Sequence, residues 1–114
     1  MIDKDHSDTK HKTRSGVTRK MAHEDASSRY FEIVIEPQAT YHKSVNVLDT
    51  CLYVVEGSGT LVIGDDTYPL RPSSFNSSPA RFPQVISNTG SEPLRILEIQ
   101  PSQGGANYFY PVPR

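Results

Sequence analysis

The chain carries little that would commit it to an oxidising compartment, a polyanion or a membrane. Its 114 residues include a single cysteine, Cys51, which has no partner for an internal disulfide. Twelve basic residues against 13 acidic ones leave a formal net charge of −1, so no global field draws the protein to nucleic acid or to anionic lipid. Basic and aromatic residues also fail to interleave as nucleic-acid modules require. No window is apolar for long enough to be a signal peptide or a membrane span, and the N-terminus is charged throughout. The expectation is a cytoplasmic protein with neither a nucleic-acid nor a membrane partner. GxSxG elbows, phosphate loops, CxxC pairs and paired zinc-ligand spacings are all missing. Hydrophobic content is only 35%, with nine prolines, which places part of the chain outside any core. A helical period is absent too.

What the chain does have is alternation. Residues 1–28 are read as a flexible polar leader, because charges of both signs mix with Ser, Thr and His and little there can be buried. Residues 29–114 are read as the folded domain. Phe31, Ile33 and Ile35 alternate strictly, as in a half-buried strand. Lys43 to Glu56 is rich in Val, Leu, Thr and Tyr, and Gly57-Ser58-Gly59 turns it into Thr60–Ile63. Gly64-Asp65-Asp66 is a hairpin turn, and Arg71-Pro72-Ser73-Ser74 another. Pro79 and Pro83 bracket a loop; QVISN and LRILEI are strands on either side of the turn Asn88–Pro93. Short strands with turn signals about every ten residues predict an all-β sandwich or barrel. The C-terminal NYFYPVPR reads as a last apolar-aromatic strand or extended tail.

The stretches YVVEGSGTLVIGDDTYPLRP and NTGSEPLRILEI resemble the two motifs of the cupins, small jelly-roll β-barrels, over roughly Phe31 to Gln100. The resemblance implies a cupin-like jelly-roll barrel behind the leader. It leaves activity open, because cupins include dioxygenases, isomerases, lyases, cyclases, sugar-binding regulators and storage proteins. In metal-binding members the first motif supplies HxH and then a glutamate seven residues before the turn glycine. Counting back from Gly57 puts Thr50 at the glutamate, and Ser44 with Asn46, or Lys43 with Val45, at the histidines. The second motif, PxGxxHxxxN, reads Pro79 to Asn88 here, with Arg81 for the glycine and Gln84 for the histidine. The glycine of a preceding RPGD turn is replaced by Ser73. Neutral hydroxyls and amides bind divalent cations weakly without carboxylates. No metal and no other cofactor is therefore expected.

Candidate site residues follow from the same alignment. His42 shares a face with Ser44 and Asn46 if the strand is continuous, which makes it the candidate general base. Ser44, Asn46, Thr50 and Gln84 are then a hydrogen-bonding pocket floor, with Tyr53 and Arg81 as further substrate contacts. The opposite assignment, with Val45 and Val47 inside, turns that polar set to solvent. The expected function is metal-independent handling of a small organic molecule in the barrel, by isomerase, cyclase, dehydratase or lyase-type proton transfer. The alternatives are a non-enzymatic binding or dimerisation module and a metalloenzyme with displaced ligands such as His42 and Asp49. A homodimer is expected because a small core gains stability by association.

Overall fold

The computed structural model describes residues 12–43, 45 and 47–102. Ten strands follow one another: β1 (Lys12–Arg14), β2 (Val17–Glu24), β3 (Ser28–Ile35), β4 (Thr40–Lys43), β5 (Thr50–Glu56), β6 (Gly59–Ile63), β7 (Asp66–Leu70), β8 (Phe75–Ser78), β9 (Gln84–Ser87) and β10 (Leu94–Pro101). They pair antiparallel into a six-stranded sheet, β1-β2-β3-β10-β5-β8, and a four-stranded sheet, β4-β9-β6-β7. The protein is thus all-β, two sheets of a jelly-roll barrel facing each other across one core.

Alternation along each strand decides what enters that core. Ile33, Ile35, Leu52, Val54, Leu94 and Ile96 come from the larger sheet; Leu61, Leu70 and Ile86 face them from the smaller one. Each buried side chain of this size contributes roughly 1.5–3 kcal/mol. The apolar end of the barrel therefore carries the fold. Register places its rows: Ile33 and Val54 flank Ile96, and one layer on, Phe31 and Leu52 flank Glu98. The core changes character at Glu98.

Two turn features hold the apolar end together. Gly57 has φ +89, and any Cβ there would collide with the backbone at Pro93–Leu94, which explains the glycine at the β5–β6 turn. Asn88, almost fully buried, donates to the carbonyls of Ile35 and Glu92 at 2.8 Å each and accepts from the Gly90 amide at 2.9 Å. The motif's asparagine is thus a three-way backbone tie.

The larger sheet begins before Phe31. Within the span read as a leader, β2 pairs with β3 along its length, from Val17 opposite Ile35 to Glu24 opposite Arg29. Val17 joins the core, and the Arg19 guanidinium lies 3.8 Å from the centre of the Phe31 ring. A strand near the sheet edge needs few apolar residues, because ladder hydrogen bonds satisfy its backbone and solvent covers one face. Hence a polar composition conceals two strands. The remainder of the leader, residues 1–11, and the aromatic C-terminal stretch lie outside the described residues.

Both glycines missing from the motifs leave a conformational trace. Ser73 has φ +73 and Arg81 φ +68, the left-handed region that glycine occupies without penalty. The turns keep their shape despite the substitutions.

Candidate functional site

The polar end of the barrel is built from side chains on both sheets. Lys43, the last residue of β4, points inward beside Gln84, its register partner on β9. Its ammonium meets the Glu98 carboxylate of β10 at 2.9 Å, with the two side chains only 3% and 1% exposed. This ion pair crosses the barrel from one sheet to the other. The other oxygen of Glu98 lies 3.6 Å from the Arg19 guanidinium. Among the described residues, two cations therefore surround one carboxylate. Tyr41, half-buried on β4, has its phenol pKa raised by burial; Arg19 lowers it and Glu98 raises it, so it borders the same cluster.

A second polar tie also crosses between the sheets. Ser78 of β8 donates its hydroxyl to Gln84 Oε1 at 2.6 Å, while Gln84 Nε2 donates to the carbonyls of Pro79 at 3.2 Å and Phe82 at 3.4 Å. Both ends of the amide are engaged. Gln84 thus anchors the loop whose tip is Arg81.

Beyond these ties the barrel opens in a cleft of about 290 Å³. Its polar wall is a row across the larger sheet: Arg29 of β3 stands opposite Gln100 of β10, and Thr50 of β5 lies one step beyond the Ile99–Cys51 pair. Val45, Val47 and Leu48 form the apolar wall. Thr50 is 5% exposed, and its hydroxyl has no hydrogen-bond partner among the described residues. The Arg29 Nε is likewise buried and without a hydrogen bond, its nearest carboxylate being Glu24 at 3.6 Å. Gln100 reaches back to Glu98 at 3.5 Å.

The residues expected at the site are thus divided by the fold. Thr50 and Gln84 both face inward, Thr50 into the cleft and Gln84 into its own hydrogen bonds. His42 is exposed on the outer face of β4, paired with Val85, because the inward residues of that strand are Tyr41 and Lys43. It shares no face with Gln84. Tyr53 lies on the outer face of the larger sheet, with its ring 5.4 Å from that of Phe75. Arg81 is exposed at its loop tip. Ser44 and Asn46 lie outside the described residues. Neither face assignment survives as stated, since β4 ends at Lys43 and both Val45 and Val47 are more than half exposed, at 54% and 59%. Asp49 is spent on the backbone, accepting from the Ala80 amide at 2.8 Å.

Three residues of the polar end, Arg29, Glu98 and Gln100, carry no expectation in the sequence reading, and Lys43 enters it only as a histidine position of the alternative spacing. Their signal was present: Leu94, Ile96, Glu98 and Gln100 alternate on one face, as do Arg29, Phe31, Ile33 and Ile35. A buried charge in an apolar alternation is the feature to look for.

Among the described residues, the positions at which the resemblance implies metal ligands do not fit a divalent cation. Thr50 offers a hydroxyl, Gln84 an amide already saturated by neighbours, and Lys43 a competing ammonium that holds the one nearby carboxylate. Among the described residues, no group of three or more His, Cys, Asp or Glu side chains is placed to hold a metal ion.

No family model matches the chain, and no curated protein matches it by sequence. Solved structures do. An RmlC-like cupin from Shewanella frigidimarina superposes with a TM-score of 0.67 at 14% identity, over 79% of each chain. The cupin domain of an XRE family transcriptional regulator from Enterobacter cloacae gives 0.67 at 17% identity, over 74% of this chain and 94% of that one. Salicylate 1,2-dioxygenase from Pseudoaminobacter salicylatoxidans gives 0.70 at 14% identity, over 78% of this chain and 26% of that one. The fold is that of the cupin barrel. No helix is long and apolar enough to cross a membrane among the described residues.

Proposed function

We propose that this cupin-fold protein binds a small organic molecule in the cleft at the polar end of its barrel, without a metal. The observation that carries the reading is Thr50, a residue of the cleft wall whose buried hydroxyl has no hydrogen-bond partner among the described residues. Leaving such a group unpaired costs stability, typically 1–3 kcal/mol, and a ligand that bonds to it recovers that cost. The polar groups behind it, Lys43 with Glu98 and Ser78 with Gln84, are already paired and serve as a floor. A cleft of about 290 Å³ is near the small end of ligand sites. Cupin-fold neighbours include both a dioxygenase and a domain of a transcriptional regulator, so the fold alone favours neither catalysis nor sensing.

Binding is preferred to acid–base turnover because His42 stands outside the barrel. Glu98, the nearest inward acid, is held by Lys43 and reaches the cleft only through Gln100. Native mass spectrometry of protein taken from cells tests the reading: a small adduct present in the parent and missing in Thr50→Val is expected. An adduct that persists in the variant, or stoichiometric metal whose chelation abolishes ligand binding, overturns it.

A second copy of the chain is the proposed protein partner, in the cytoplasm. The outer face of the larger sheet carries Val55 and Phe75, both exposed, with half-buried Val34, Tyr53, Leu97 and Ile99. Arg95 at its border bonds Glu32 and Glu56, so the face carries both signs of charge and suits a copy of itself. Light scattering of the parent and of Val55→Asp tests this, with the variant expected to dissociate.

A further inference from the structure

We propose that the occupant of the cleft is a small organic acid whose carboxylate lies between Arg29 and Thr50 and whose apolar body rests on Val45, Val47 and Leu48. The inference deepens the binding reading above and rests on it.

Three observations support this occupant, two for its charge and one for its apolar body. The first is the pair of idle donors: Arg29 Nε and Thr50 Oγ1 are both buried, both without a hydrogen bond among the described residues, and both on the cleft wall. A guanidinium can only donate and a hydroxyl can donate, so the two can both serve a carboxylate, and a charge-assisted bond to arginine is among the stronger polar contacts.

The second is the charge behind the wall. Arg19 and Lys43 share the single carboxylate of Glu98, and Gln100 links Glu98 to the cleft. With Arg29 added, the inward cations outnumber the inward carboxylate among the described residues, and a cavity walled by protein focuses that excess on whatever enters. Glu24 is the rim acid nearest Arg29; at 3.6 Å and half exposed it makes an ion pair but no hydrogen bond, so an entering carboxylate can displace it.

The third is shape. Val45 and Val47 line the cleft and are more than half exposed, which provides a platform for a hydrocarbon body. At about 30 Å³ for each water-sized group, the space suits about ten non-hydrogen atoms. Inorganic phosphate would use the donors and leave the valines wet.

The test compares matched pairs by amide chemical-shift titration at constant ionic strength: acetate, butyrate and benzoate, each against its own primary amide, with inorganic phosphate alongside. At least one carboxylate is expected to shift Arg29, Thr50 and Gln100 and to bind ten-fold or more tightly than its amide. Arg29→Gln should abolish that preference, and Thr50→Val should weaken the carboxylate about ten-fold with no loss of melting temperature. Glu24→Gln should strengthen it by removing the competing carboxylate. Amides that bind as tightly as their acids at these residues overturn the anion class and leave cleft binding standing. Phosphate binding tighter than every carboxylate also overturns the class. Shifts by none of the probes at these residues, or an unchanged response in Arg29→Gln, overturn the inference together with the site.

Discussion

Lys43 and Glu98 meet at 2.9 Å inside the barrel, one from each sheet, with almost no surface left to water. An ion pair this deep must recover a large desolvation cost, and it is more sensitive to losing one partner than to losing both. Lys43→Met is therefore expected to cost roughly 3–5 kcal/mol of folding stability, because it leaves a buried carboxylate with only Arg19 at 3.6 Å. The double variant Lys43→Met/Glu98→Met should recover more than half of that loss. Urea denaturation of the three proteins measures both quantities, and equal losses in the single and double variants would contradict the pairing.

Gln84 gives a different forecast. Its amide bonds Ser78 and two loop carbonyls, so Gln84→Leu is expected to destabilise the fold by about 1–3 kcal/mol. Its effect on binding in the cleft should be small, since Gln84 is not on the cleft wall. Gln84→His should create no metal affinity, because Lys43 remains beside it. Melting curves and a zinc titration of the two variants check these outcomes.

Ser73 and Arg81 are held in left-handed backbone at φ +73 and +68. That conformation costs a non-glycine residue roughly 1–2 kcal/mol, partly offset by the greater unfolded-state entropy of glycine. Ser73→Gly and Arg81→Gly are each expected to raise stability by about 0.5–1 kcal/mol. Thermal melts should show an increase in each and a near-additive sum in the double variant, since the turns are separate.

Tyr41 sets an alkaline limit. Burial raises its phenol pKa above the ordinary 10.0, with Arg19 opposing and Glu98 assisting. A raised folded pKa means that the native state holds the proton more tightly than the unfolded chain. The associated stability is complete below 10.0 and is lost as pH climbs through the folded value. Tyr41→Phe should flatten that part of the stability profile. Denaturant midpoints of parent and variant at neutral and strongly alkaline pH supply the comparison.

Much of the architecture was legible in the chain because strand and turn signals are local. Phe31, Ile33 and Ile35 declare their strand by alternation, and Gly57 and Gly64, both at positive φ, stand where turns were expected. The early strands were hidden for a local reason as well. β2 lies toward the sheet edge, where backbone pairing needs no apolar run, so only Val17 and Met21 mark its inner face.

The site was less legible because its partners are distant in sequence and lie on different sheets. Alternation alone puts Glu98 inside with Ile96 and Leu94, but nothing in LRILEI says that Lys43 waits opposite. The register of β4 on β9, with Lys43 inward opposite Gln84, decides that His42 faces solvent, and the fold beyond β4 decides that Val45 and Val47 are exposed at the cleft. Side-chain direction repeats every two residues, and the sequence by itself determined that period, the turns and hence the all-β barrel. Which charges pair across the interior, and which hydroxyl is left without a partner among the described residues, only the packing of one sheet on the other decided, because burial turns a polar group's distance to its partner into an energy.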